Sequence, residues 1–187
     1  MPNKSSLFFL CCIFFLSLIF EVQAQEDSLK LLSIDNTLSL NFPAKYKEQQ
    51  YDLRQLREGR NNGIIYSLFI SDEYKYTRIV NGLQLDSLYE LIAFNTLQVY
   101  AGNPIESNSY SAKLGDLRGK YLYVESKKPS NPYIAEYYIY CVSGRIYVLS
   151  TTYLSTYSKE QIHQAKDFVN SIQFNEKLNY NDQLNRF

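Results

Sequence analysis

One histidine, one methionine, three cysteines and no tryptophan among 187 residues leave little material for metal or nucleophile chemistry. His163 stands alone, so zinc sites that need a second imidazole within one chain are excluded. Cys11 and Cys12 fall in an N-terminal apolar run, which leaves Cys141 as the only cysteine of the remainder and no disulfide to be expected within it. Charge of one sign is missing too. Nineteen basic residues balance 19 acidic ones, and a nucleic-acid binder needs a basic footprint that this chain does not have. No nucleophile elbow, phosphate loop, dinucleotide fingerprint or calcium-loop spacing occurs, so neither cofactor nor metal is expected.

The first two dozen residues are the clearest signal. Lys4, the apolar run 7–20 and Val22-Gln23-Ala24 form the basic, apolar and small-residue parts of a secretory signal peptide cut after Ala24, with Glu21 departing from the pattern. The run is short for a membrane span, and neither early cysteine sits where a lipoprotein cut would fall. The expectation is an exported protein, periplasmic or extracellular, that is not integral to a membrane after cleavage. About 160 residues then remain, the size of one domain. They divide into a polar leader at 25–36, a single domain at 37–174 and a polar tail at 175–187.

Within the domain, Leu38, Leu40 and Phe42 alternate on one side of a first strand. Residues 45–62 are charged and aperiodic, which predicts a loop ending in Asn61-Asn62-Gly63. A strand at 63–71 places Ile64, Tyr66, Leu68 and Ile70 on one face, and a second at 74–80 would pair with it. Ser87 and Glu90 have capping-box spacing before a helix bearing Leu88, Leu91, Ile92, Leu97 and Tyr100. Ser158 and Gln161 repeat that spacing before Ile162, Ala165, Phe168, Val169 and Ile172. Between the helices lie strands at 109–114, 120–126, 134–142 and 145–153. The class is α+β, a mostly antiparallel sheet packed by helices.

Ser143-Gly144 reads as a two-residue hairpin turn, pairing Val142 with Arg145, Tyr140 with Tyr147 and Tyr138 with Leu149. Side chains then sort by face. Ala135, Tyr137, Ile139, Cys141, Ile146 and Val148 share one, joined by Leu122 and Val124. The other collects Tyr121, Tyr123, Tyr138, Tyr140, Tyr147 and Tyr153 with Glu125 and Glu136.

Phe42-Pro43 after the first strand, Arg118-Gly119-Lys120-Tyr121, Ile146-Tyr147-Val148-Leu149 and the helix end Phe168-Val169-Asn170-Ser171-Ile172 resemble the Mog1/PsbP-like group. That resemblance implies an α/β/α sandwich and a non-enzymatic accessory or binding role. It transfers no functional residue.

The tyrosines are the candidate binding residues, and two readings stay open: a helix layer covers them, or they form a platform for a partner. His163 is expected on the polar face of its helix and Cys141 buried and inert. The expected role is an accessory protein that binds an envelope or extracellular protein. The alternative is a small apolar or sugar ligand held against the tyrosines, and a third reading is a hydrolase using Glu125 and Glu136. Intact-mass analysis of the exported protein should find an unmodified chain beginning at Gln25; a retained leader or an acyl group overturns the signal reading.

Overall fold

The computed structural model describes residues 29–35, 37–72, 82–115, 117–128, 130, 132–142 and 144–174. The signal segment, the strand expected at 74–80, Ser143 and the tail from 175 lie outside them.

The large sheet grows from the hairpin of β8 (Tyr133–Val142) and β9 (Arg145–Leu154). Its register is the expected one, with Tyr140 opposite Tyr147 and Val142 opposite Arg145, and Gly144 supplies the positive φ of 76° at the turn. β7 (Leu117–Ser126) pairs with β8, and β6 (Ile105–Leu114) pairs with β7 and ends the sheet on that side. On the other side β9 pairs with β5 (Ile64–Ser71), then β4 (Arg54–Asn61), then β3 (Tyr46–Tyr51). All seven strands run antiparallel to their neighbours. A second sheet holds β1 (Leu29–Ser33), β2 (Leu38–Pro43) and the short β10 (Gln173–Phe174).

Four of these strands differ from the sequence reading, the two-residue β10 among them. Residues 29–33, expected as leader, form β1 against β2, and the expected loop at 45–62 is the hairpin of β3 and β4. β3 and β4 hide from periodicity because their charges are spent within the sheet: Arg57 Nε donates to Glu48 Oε2 across the strand pair at 3.1 Å. The turn into β5 was visible, since Asn62 (φ 50°) and Gly63 (φ 79°) form the two-residue connection that Asn-Gly favours.

Two helices cover the sheet, one on each face. α1 (Gly82–Gln98) begins five residues before the expected cap. Ser87 lies inside it, its hydroxyl donating to the Leu83 carbonyl at 2.9 Å, because the apolar face reaches back to Leu85 and draws the preceding turn onto the sheet. Leu85, Leu88, Tyr89, Ile92 and Ala93 pack on Leu122, Val124, Ala135, Ile139 and Cys141, whereas Leu91 turns outward and is 48% exposed. Tyr89 fastens this layer: its hydroxyl donates to the Arg118 carbonyl at 2.7 Å and accepts from the Cys141 N–H at 3.1 Å.

α2 (Lys159–Asn170) has the expected capping box of Ser158 and Gln161. Ala165, Phe168 and Val169 bury against the opposite face, where the Phe168 ring sits 5.1 Å from Tyr66 and 6.0 Å from Phe42. Leu38, Leu40 and Phe42 of β2 complete that core. Burial of each such side chain contributes about 1.5–3 kcal/mol. Among the described residues no helix is long and apolar enough to cross a membrane.

A charged clamp joins the small sheet to the large one. Arg145 holds Asp72 with Nε at 2.6 Å and Nη2 at 2.9 Å, and reaches Asp35 with Nη1 at 2.8 Å. Asp35 also accepts from the Thr37 and Leu38 N–H groups at 2.7 and 2.8 Å and from the Tyr147 hydroxyl at 2.9 Å. Burial alone would raise the Asp35 carboxyl, but these four donors outweigh it and hold it below the ordinary value. A depressed folded-state value means that the stabilisation is present above the unfolded carboxylate range near about 3.9 and is lost as pH falls through the lower folded value. Asp35→Ala should therefore lower stability in denaturant titrations at pH 7 by about 1.5–3 kcal/mol, and its deficit should shrink as both proteins are taken to acid.

Candidate functional site

The tyrosine face is two environments on one sheet surface. Antiparallel pairing sets Tyr110, Tyr121 and Tyr138 in one row across β6, β7 and β8, with Leu149 of β9 next in line. The neighbouring row holds Tyr123 and Glu136, and beyond the Tyr138 row Tyr140 stands between Gly119 and Tyr147. Gly119 is required there: a Cβ on it would lie 2.5 Å from the ring of Tyr140.

Near the β2 and α2 layer the rings are core. Tyr140 and Tyr147 are 2% and 1% exposed, and the Phe174 ring meets them edge-on at 5.9 and 5.6 Å. Burial pushes the Tyr140 hydroxyl up to about 12; Tyr147 rises by burial and by the carboxylate of Asp35. Tyr153 is buried as well, stacked on Tyr157 at 6.3 Å. Of the two readings left open for the six candidate tyrosines, packing describes Tyr140, Tyr147 and Tyr153.

Toward β6 the covering layer of described residues ends. Tyr121, Tyr123 and Tyr138 are half-buried, and Tyr110 is 57% exposed. Tyr121 lies 4.9 Å from Tyr138 and stacks on Tyr110 at 6.2 Å with the rings 20° from parallel. Tyr110 was missed because only the pairing of its strand with β7 puts it in the row; the alternation at 109–114 carried no face assignment.

Glu136 stitches the two halves together. Its carboxylate, buried in the sheet, accepts from Tyr121 at 2.7 Å and from Tyr153 at 2.9 Å. Burial first, and then this carboxylate, push both hydroxyls well above their ordinary value, so both remain donors at neutral pH. Glu125 takes different partners: Lys127 at 3.1 Å and the Tyr123 hydroxyl at 3.3 Å, with Lys127 also bound to Glu106 at 3.0 Å. The two carboxylates considered for hydrolysis are therefore engaged separately, Glu136 by Tyr121 and Tyr153 and Glu125 by Lys127 and Tyr123.

His163 is exposed, with Nε2 3.6 Å from Asp167 on the same helix. Cys141 is buried on the aliphatic face, and burial pushes its thiol up to about 12, far from a thiolate nucleophile.

No protein-family model matches the chain, and no curated protein shows a significant match. Solved structures do. The solution structure of cyanobacterial PsbP (CyanoP) from Synechocystis sp. PCC 6803 superposes with a TM-score of 0.54 at 9% identity, covering 84% of this chain and 99% of that one. Such identity shows the fold alone: the α+β architecture of an antiparallel sheet packed by helices is shared with PsbP. A crystal structure from Bacteroides thetaiotaomicron gives a TM-score of 0.46 at 12% identity over 82% of this chain and 50% of that one, so the present chain spans about half its length. LpqN of Mycobacterium tuberculosis, involved in cell envelope biogenesis, gives 0.42 at 10% identity over 80% and 92% of the two chains.

The division of the face has a direct thermodynamic signature. Tyr140→Ala and Tyr147→Ala should each cost about 3–5 kcal/mol in chemical denaturation, as buried aromatics do. Tyr123→Ala should cost less than about 1 kcal/mol. Equal losses at all three positions would show that the open half is core.

Proposed function

We propose that this chain is an exported, non-enzymatic accessory protein that binds another protein through the open half of its tyrosine face. The observation that carries the reading is the row of Tyr138, Tyr121 and Tyr110, half-buried at the first two and exposed at the sheet edge, while the same face is sealed a few residues away. Tyrosine gives large, rigid, amphipathic contact area at low entropic cost, which suits a protein interface. Export rests on Lys4, the apolar run and Val22-Gln23-Ala24.

Charge narrows the partner. Glu106 and Glu125 share this patch with Lys127, so carboxylates outnumber cations there. A partner surface carrying arginine or lysine would find both carboxylates and ring faces, each favourable to a cation.

A photo-crosslinking residue at position 123 in the exported chain should trap a discrete envelope protein. Binding of that protein should weaken by about thirty-fold with Tyr121→Ala, a hot-spot loss of about 2 kcal/mol, and fall as salt is raised. Glu125→Lys should weaken it while leaving the melting temperature unchanged. No trapped protein, together with saturable binding of a saccharide or small apolar ligand that quenches tyrosine fluorescence, would replace this reading with the small-ligand one.

A further inference from the structure

The two edges of the large sheet are built on different terms. β3 is six residues long and carries Lys47 and Glu48 near its middle, the charge that discourages another strand from pairing. β6 is ten residues long, pairs with β7 without interruption from Ile105 to Leu114, and is uncharged from Ser107 to Ala112. It contains no proline and no bulge, and among the described residues no strand lies beyond it. Most of its side chains are exposed on both faces of the sheet. An edge of this length and neutrality is a template for strand addition.

We propose that the occupant is a second copy of this chain, pairing β6 with β6 in antiparallel fashion about a two-fold axis at Tyr110. This goes beyond the face reading above, because it uses the backbone of the edge and needs no other protein. A two-fold axis perpendicular to a sheet preserves its faces, so only residues that share a face come opposite one another. Two such registers use nearly the whole strand. Centred on Ser109, Tyr110 would face Asn108 of the second copy and Lys113 would face Ile105. Centred on Tyr110, the ring meets its own counterpart and the row Tyr138, Tyr121, Tyr110 continues across the axis as six aromatic side chains. Glu106 then faces Leu114 and Lys113 faces Ser107, so no like charges are opposed. Cross-strand aromatic pairs stabilise more than an aromatic beside an amide, which selects the Tyr110 register.

Sedimentation of the purified mature chain over a concentration series should show a monomer–dimer equilibrium. Tyr110→Lys sets two ammonium groups against each other at the axis and should raise the dissociation constant at least tenfold with the melting transition retained, while Tyr110→Phe keeps the dimer. For register, Ser107→Cys and Lys113→Cys chains are prepared separately, mixed and oxidised. A disulfide should link one variant to the other, since those positions face each other, and neither variant to itself. A chain that stays monomeric throughout, a dimer indifferent to Tyr110→Lys, or the absence of the mixed disulfide overturns the proposal. The experiment uses one purified protein, so its failure leaves the trapping of a different partner at position 123 to be judged separately.

Discussion

The register of β8 against β9 is the constraint on which the rest of the molecule depends. Side chains alternate with a period of two, so a slip of one residue in β8 against β9 would carry Ile139 and Cys141 to the face now held by Tyr147. Each face has its own cover, and the covers are not interchangeable. α1 brings Leu85, Leu88 and Ile92 to an aliphatic surface, whereas β2 and α2 bring Phe42 and Phe168 to an aromatic one. Pairing order then extends the same sorting outward, through Leu122 and Val124 on one side and Leu68 and Ile70 on the other.

Polar groups hold the layers where apolar contact alone would allow sliding. Arg145 sits at the start of β9 and gathers Asp35 and Asp72, one from the small sheet's hairpin and one from the end of β5. Breaking one side leaves a partly buried charge without its counterpart, which costs more than the pair contributes over neutral packing. Tyr89 does the corresponding work under α1 with neutral groups, accepting from one strand and donating to the next. Glu136 is the third such point, and it differs in joining sealed core to open surface.

That junction shapes the functional reading. A tyrosine row held at one end by the Glu136 hydrogen bond and core packing carries part of its ordering within the fold, and the proposed interface draws on that preorganisation. The row ends at a neutral, two-sided edge strand, so surface and edge adjoin. The proposed face contact and the proposed edge pairing meet at Tyr110, whose ring stacks on Tyr121.

Much of the fold was legible in the order of residues because it follows from local rules. The hairpin at Gly144, the separation of Leu122, Val124 and Ile139 from Tyr121, Tyr138 and Tyr147, and the capping box at Ser158 each rest on turn chemistry or on a period within a few residues. The burial of Cys141 and the exposure of His163 followed from those periods. β1, β3 and β4 were not legible, since an edge or charge-paired strand shows no apolar alternation and is a strand only because a neighbour supplies its hydrogen bonds. The start of α1 escaped for a related reason: Ser87 has cap chemistry, and only the sheet beneath Leu85 makes it an interior residue. Local alternation was enough to sort side chains onto shared faces. Which part of the tyrosine face is sealed among the described residues depends on packing instead, because cover comes from β2, α2 and Phe174, segments distant along the chain whose reach no local period encodes.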